Sequence, residues 1–422
     1  MWWQIIRASC LGLALCGRTA LSGAWPSSPS TSPNWVGSWA AAEQIPEARN
    51  SLRANDLRDA TLRQIVHLSI GGRLLRVHLS DAFGTAPLHF TSVHIARPIS
   101  ASSPQIAVST DRVVTFSKLP SVTIPAGAEY VSDPISFTAA PGSNLAITFH
   151  LDEPPAGETG HPGSRATSYL VHGDHVADPD LGGATKFDHW FNIAGVDVSA
   201  PPGSAAIVAL GDSITDGHGS TTNGNDRWPD GLARRLSQAR PATTPAASRG
   251  VLNEGIGGNR LLLDGLGPNA LARFDRDVLA PPGVRYLIIL EGINDIGTFG
   301  LQDGQPQSAH DALVHQIIGA YEQMVIRAHA HGIRILGGTL TPFAGSAYYK
   351  PGPLSEADRQ AVNQWIRAPG HFDGVMDFDK AVRDPHQPDR LLPAYDCGDH
   401  LHPSPAGYRA MVAAIPRADF AK

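Results

Sequence analysis

Ala205-Ala206-Ile207-Val208-Ala209-Leu210-Gly211-Asp212-Ser213-Ile214-Thr215-Asp216 is the stretch whose reading decides the rest of the chain. Its apolar run, 205–210, has the length and bounds of a strand buried on both faces, the type found inside parallel sheets. The run stops at Gly211, which has no Cβ and so permits a sharp backbone turn. A serine two positions beyond the end of such a strand stands where open α/β sheets place their ligands. Ser213 is therefore a candidate nucleophile.

Downstream of this stretch, strand and helix patterns alternate. Further strands are expected at 251–254, 284–290, 333–340 and 375–378. Helices are expected to begin near Pro229, Ser308, Ser355 and Ser404. The clearest has Leu313, Ile317, Tyr321, Met324 and Ala328 on one stripe and ends at His331-Gly332. Alternation of this kind predicts an α/β domain with a parallel sheet over 204–422. The Pro- and Gly-rich segment 198–204 reads as the linker before it.

Upstream, residues 35–200 read as all β. Leu62, Gln64, Val66, Leu68 and Ile70 alternate with Arg63, Ile65, His67 and Ser69, and Leu75, Val77 and Leu79 follow in the same period. Gly71-Gly72 between the two runs predicts a hairpin with one apolar face. Further period-two runs lie at 113–116, 122–124, 130–137 and 145–151, separated by turn clusters. Short strands at this spacing predict a β-sandwich domain.

The first 24 residues read as a secretory signal peptide, with Arg7, an apolar centre and a small-residue close at Leu21-Ser22-Gly23-Ala24. The apolar centre is too short to span a bilayer, and no later segment reads as a transmembrane helix. Residues 25–34, rich in Pro and Ser, are a linker. The expected location is secreted or periplasmic. Loss of the leader takes Cys10 and Cys16 and leaves Cys397 alone, so no internal disulfide is expected. It also leaves 31 basic against 39 acidic residues, a charge of -8. That balance argues against nucleic acid as a partner. No zinc-type ligand cluster appears, so neither a metal nor a cofactor is expected. The sequence gives no signal for an oligomeric state.

A serine hydroxyl needs a base to take its proton, and the base needs a carboxylate to fix its tautomer. Asp396-Cys397-Gly398-Asp399-His400-Leu401-His402-Pro403-Ser404 places Asp399 three residues before His402, on a loop just ahead of a helix start. Asp399 would hold one ring nitrogen of His402 while the other faces Ser213. His218 and His400 are rival bases and Asp396 a rival for Asp399. Asp212 is read as holding the loop. The charge that develops on an ester oxygen also needs donors. Asn253-Glu254-Gly255-Ile256-Gly257-Gly258-Asn259 offers backbone N–H groups, and Glu291-Gly292-Ile293-Asn294-Asp295 offers an amide.

These four stretches, in this order, resemble the SGNH hydrolases, also called the GDSL esterase/lipase family. The blocks are Gly211-Asp212-Ser213, the loop centred on Gly258, Gly292-Ile293-Asn294-Asp295 and Asp399-His400-Leu401-His402. The resemblance implies a Ser213, Asp399 and His402 triad. It implies an oxyanion hole of the Ser213 and Gly258 N–H groups and the Asn294 amide. It also implies a three-layer α/β/α, flavodoxin-like domain with a mostly parallel five-stranded sheet. No Gly-x-Ser-x-Gly elbow is present, which disfavours the common α/β-hydrolase fold. Trp35-Val36-Gly37-Ser38-Trp39, Ser80-Asp81-Ala82-Phe83-Gly84 and Ser132-Asp133-Pro134 resemble a β-rich segment that precedes this domain in some secreted bacterial members.

The expected activity is a secreted serine esterase acting on a small-molecule or polysaccharide ester. Acetyl or other short acyl esters on carbohydrate are favoured. A lipase or lysophospholipase is one alternative, and a catalytically inert carbohydrate-binding protein is another. Trp35, Trp39 and Trp190 either stack on sugars or belong to the core.

Overall fold

The computed structural model describes residues 33–238, 247–302 and 304–420. The expected signal peptide, and the linker up to residue 32, lie outside them. The strand Ala205–Gly211 is buried along its whole length, as an uninterrupted apolar run demands. It pairs in parallel with Arg249–Gly255 on one side and Val284–Leu290 on the other. Arg334–Gly338 and Gly374–Met376 extend the parallel sheet beyond Val284–Leu290. Taken by position in the chain, the strands lie in the order second, first, third, fourth, fifth. The direction of winding reverses beside Ala205–Gly211. A crevice opens at such a reversal, outside the carboxyl ends of the strands.

The expected helices form as Trp228–Gln238, Gln307–Ala330, Pro353–Arg367 and Pro405–Ala414. Leu313, Ile317, Tyr321, Met324 and Ala328 are all buried, so the stripe on the second of these faces the core. Gly332, at φ +67°, closes that helix in the left-handed conformation. Ser404 caps the last helix by accepting the Gly407 N–H, with Pro405 at its first position. Among the described residues no helix is long and apolar enough to cross a membrane.

The front half forms two larger antiparallel sheets. One contains Trp35–Ala40, Ile193–Ser199, Gly72–Ser80, Glu129–Val131 and Ile135–Ala139; the other is built around Ala60–His67, Asn144–Leu151 and Leu88–Ala96. The expected hairpin across Gly71-Gly72 does not form, because Ala60–His67 and Gly72–Ser80 lie in different sheets. Neither glycine adopts the positive φ that a two-residue hairpin turn needs. Both are small for another reason. A Cβ on Gly71 would stand 2.3 Å from the Ala139 carbonyl, and one on Gly72 would stand 2.7 Å from that of Ser199. Nor is the second face of Ala60–His67 open to water. Ile65 packs with Ala96, Ile106, Ala146, Tyr169 and Leu181. Arg63 is buried beside it, donating to Thr148 Oγ1 and to the carbonyls of Pro104 and Asp178.

Residues Asn34–Lys422 form one compact unit, in which the strand Trp35–Ala40 lies against Arg249–Gly255. The approach is close, through main-chain groups and one serine hydroxyl. The Gly37 N–H donates to the Pro282 carbonyl at 3.0 Å, the Val251 N–H donates to Ser69 Oγ at 2.9 Å, and Ala41 bridges to Asn253. A Cβ on Gly250 would sit 2.1 Å from the Gly37 carbonyl oxygen. Beside this contact lies a small cavity of about 60 Å³ lined by Glu43, His78, Glu129, Asp197, Glu254 and Arg276 among others. His78 sits between Glu129 (2.6 Å) and Asp197 (2.8 Å). Burial opposes its charge, but hydrogen bonds to the two carboxylates outweigh burial and raise its pKa to about 10. Glu43 has no ion-pair partner among the described residues, and burial pushes its carboxyl up to about 8.

Gly250→Ala is expected to lower the thermal midpoint, at a cost of about 1–3 kcal/mol typical of overpacking against an immovable neighbour. Gly319→Ala, inside a long helix with nothing within 4 Å of the new methyl, is expected to raise it, through a stability gain of about 0.5–1 kcal/mol. For Glu43, the folded state keeps a proton that the unfolded state releases as pH rises. Stability is therefore lost between the ordinary carboxyl range and about pH 8. Melts of Glu43→Gln against wild type should show a gain that grows from pH 5 to pH 8; an equal gain at both would contradict the assignment.

Candidate active site

Ser213 opens a one-turn helix, Ser213–Asp216, directly after Ala205–Gly211. Asp212 caps the turn. Its Oδ1 accepts the Ile214 N–H at 2.8 Å, and its carbonyl accepts those of Thr215 and Asp216. Gly217, at φ +104°, ends it. The turn is so tight that a Cβ at Gly211 would stand 2.3 Å from Thr215 Oγ1 and 2.4 Å from the Leu290 carbonyl. The result is a hydroxyl held at the carboxyl end of a rigid strand.

The loop before Pro405–Ala414 brings His402 to it. Asp399 Oδ1 accepts the N–H groups of Leu401 (3.0 Å) and His402 (2.9 Å), which folds the loop around the carboxylate. Its Oδ2 lies 2.6 Å from His402 Nδ1, and His402 Nε2 lies 2.7 Å from Ser213 Oγ. Burial works to raise the Asp399 pKa. The hydrogen bond and charge of His402, with the two backbone donors, outweigh it and hold the carboxyl below its ordinary range. An ionised Asp399 takes the Nδ1 proton as a donor bond. Nε2 is then left to accept from the serine hydroxyl.

His400 and Asp396 pair with each other instead, at 2.6 Å, and His400 is exposed. Asp396 also accepts the Gly398 and His400 N–H groups, so this pair braces the loop. His218 lies closer. Its ring centroid is 4.1 Å from that of His402, its Nε2 is 3.6 Å from Asp399 Oδ2, and Arg165 Nη2 approaches its Nδ1 at 3.3 Å. A guanidinium can only donate, so Nδ1 is the acceptor and the ring is neutral. Burial, then His402 and Arg165, push its pKa down to about 4. His218, Cys397, Asp399 and His402 are the one group with metal-ligand spacing among the described residues, their donor atoms lying within 4.8 Å. Both nitrogens of His402 are already engaged by Asp399 and Ser213.

Gly258, at φ +70°, lies on the loop after Arg249–Gly255, and Asn294 is the second residue of the helix Ile293–Phe299. Asn294 Nδ2 donates to the Asn259 carbonyl at 2.8 Å and its Oδ1 accepts from Tyr349 Oη at 2.6 Å. The amide orientation is thereby fixed, and a second N–H remains. Ser213, Gly258, Asn294 and His402 line one solvent-open cleft of about 440 Å³.

Several residues that hold this arrangement gave no sequence signal. Arg273 is buried and donates to the carbonyls of Gly211 and Glu254, to Asn259 Oδ1 and to Asp277. It thus ties two strand ends to the Gly258 loop. Asp295 accepts the N–H groups of Leu261 and Leu262, and burial pushes its carboxyl up to about 6. Asp295 closes the third of the four sequence blocks, where no role was assigned to it. From the front half, His161 spans the Ala42 carbonyl (2.7 Å) and Asp216 (2.9 Å). Gln44, Glu47, Gly163, Arg165 and His189 also reach the cleft wall. Trp39 and Trp190 do not, being buried against each other at 4.9 Å between centroids.

The model of the GDSL-like lipase/acylhydrolase family matches residues 209–410. Among solved structures, the chain is similar to a GDSL-like lipase from Bacteroides thetaiotaomicron, with 20% identity, 50% of this chain and 86% of that one covered, and a TM-score of 0.36. It is also similar to an acetylxylan esterase from Geobacillus stearothermophilus, with 21% identity, 50% and 93% covered, and a TM-score of 0.35. No curated protein matches the chain.

NMR titration of the histidine rings should find His218 neutral down to about pH 4. Arg165→Gln removes one of the charges that hold it there and should move its midpoint upward; an unchanged midpoint would show that Arg165 does not face the ring.

Proposed function

Residues 209–410 belong to the GDSL-like lipase/acylhydrolase family, and from that premise we propose that the chain is a serine esterase. The observation that carries the reading is the line of contacts from Ser213 Oγ through His402 to Asp399, at 2.7 and 2.6 Å. In this reading Ser213 Oγ attacks the ester carbonyl carbon while His402 Nε2 takes its proton. The tetrahedral oxyanion accepts from the Ser213 and Gly258 N–H groups and from the Asn294 amide. The intermediate collapses as the ester C–O bond breaks, and the imidazolium returns the proton to the departing alcohol. Water, deprotonated in turn by His402, attacks the acyl-enzyme and releases the acid and free Ser213. Asp399 stays ionised throughout and steadies the imidazolium.

The substrate we favour is an acetyl or other short acyl ester of a carbohydrate. The cleft wall supports it. Gln44, Asn50, Arg165, Asp188 and His189 give a polar mouth suited to hydroxyl groups. Beyond the tyrosines, Leu266 and Leu401 are its large apolar residues. A long acyl chain would need far more, since each buried methylene contributes about 0.8 kcal/mol. We further read the leader 1–24 as directing the protein to a secreted or periplasmic location. We read 35–200 as a β-sandwich domain and 204–422 as a three-layer α/β/α domain.

Ser213→Ala should reduce the rate on p-nitrophenyl acetate by about a thousandfold or more. Asn294→Ala should cost about 10²–10³ in kcat. Across acyl chains from acetyl to palmitoyl, kcat/KM should be greatest at the short end, with acetate released from acetylated xylan. Equal rates for wild type and Ser213→Ala would remove the nucleophile; preference for palmitoyl would make the protein a lipase.

A further inference from the structure

Two arginines that the reaction leaves unused line the cleft; Arg49 pairs with Glu47, and Arg165 is the one without a carboxylate partner among the described residues. Arg165 comes from the front half and lines the same cleft as Ser213 and His402. Its guanidinium forms no ion pair among the described residues. One nitrogen, Nη2, meets His218 Nδ1 at 3.3 Å, and Nε is buried without a hydrogen-bond partner. The carboxylates nearby are all engaged elsewhere. Asp216 is bound by His161, Asp399 by His402 and two backbone N–H groups, and Glu47 by Asn50 and Arg49. Asp188 accepts from Thr167 and Thr222. A half-buried guanidinium with a donor unmet is costly to maintain unless something completes it.

Its backbone is also fixed in advance. Arg165 adopts φ +49°, an unusual conformation for a residue with a Cβ. The conformation is held by a lattice of bonds to the loop after His218. The Asn223 N–H donates to the Arg165 carbonyl at 2.8 Å, the Thr167 N–H to Asn223 Oδ1 at 2.9 Å, and Asn223 Nδ2 to Thr167 Oγ1 at 2.9 Å. Two halves of the chain thus cooperate to hold one cation at the cleft. Rigid placement of this kind is what charge recognition requires.

The position of Arg165 says which part of a substrate it meets. His402 must hand a proton to the leaving oxygen, so the alcohol portion of the ester lies along His402. The His218 ring lies against His402, tilted by 40° with centroids 4.1 Å apart, and Arg165 sits on the far nitrogen of His218. We propose that Arg165 is a specificity-determining residue that binds an anionic group, of carboxylate size, carried on the alcohol portion of the ester. The guanidinium would receive the carboxylate end-on, through Nη1–H and the Nη2–H that His218 does not take, in the paired geometry that arginine favours. On the reading above, the carbohydrate is then an acidic one, such as a sugar acid. This inference rests on the esterase reading.

The test uses the full chain and two small esters that differ in charge on the alcohol side, 4-acetoxybenzoate and 4-acetoxybenzamide. Wild type should prefer the benzoate in kcat/KM by roughly tenfold or more, chiefly through KM, as a charged hydrogen bond implies. The preference should shrink in 0.5 M NaCl. Arg165→Gln should bring the ratio to about one, and Arg165→Lys should keep part of it. A second pair with the charge on the acyl side, mono-p-nitrophenyl succinate and p-nitrophenyl butyrate, should show no preference for the anion. Equal or lower activity on 4-acetoxybenzoate, a ratio unmoved in Arg165→Gln, or an anion preference on the acyl side would each overturn the proposal. Hydrolysis of neither 4-acetoxy ester above the Ser213→Ala background would instead overturn the esterase reading beneath it.

Discussion

Much of this molecule turns on one peptide group, the carbonyl of Gly211. It accepts from the Ile256 N–H at 3.0 Å and from Arg273 Nη2 at 3.1 Å. On its other side, the missing side chain lets Thr215 and the Leu290 carbonyl close in. The turn carrying Ser213, the loop carrying Gly258 and the end of the strand leading to Asn294 are therefore joined within one buried knot. Arg273 also reaches Glu254 and Asn259 from the same guanidinium. A hydroxyl, a backbone donor and an amide are thereby held in register by groups that themselves stand outside the cleft.

The parallel sheet was readable because its signals are local. The run 205–210 is apolar without interruption, and the stripe from Leu313 to Ala328 repeats at the helical period. Ser213, Asp399 and His402 were readable for a related reason: each lies at a strand end or just ahead of a helix, where chemistry-bearing side chains collect. What could not be read was the set of side chains that hold them. Arg273 lies on a helix of five residues with no periodic pattern, and its importance comes from four partners scattered between residues 211 and 277. Nothing in its immediate neighbours announces them.

The front half misled in an instructive way. Gly71-Gly72 between two alternating runs has the composition of a hairpin turn, yet the glycines are there to let the chain pass close to the carbonyls of Ala139 and Ser199. A turn and a close approach select the same residue by different physics. Burial on both faces of Ala60–His67 was hidden likewise. The covering layer comes from segments far along the chain, around Ile106 and Leu181. Arg165 and His161 belong to the same class: their meaning depends on loops from the other half of the chain.

The contact between Trp35–Ala40 and Arg249–Gly255 also bears on self-association. Arg249–Gly255 is the outermost strand of the parallel sheet on its side, a position whose unpaired backbone groups invite pairing with a neighbouring molecule. The bridge from Ala41 to Asn253 and the Ser69 hydroxyl on Val251 occupy that border. Trp35–Ala40 itself pairs with Ile193–Ser199, synthesised much later. Both strands of this guard precede Arg249–Gly255 in the chain, so the cover is already made when the border it protects leaves the ribosome.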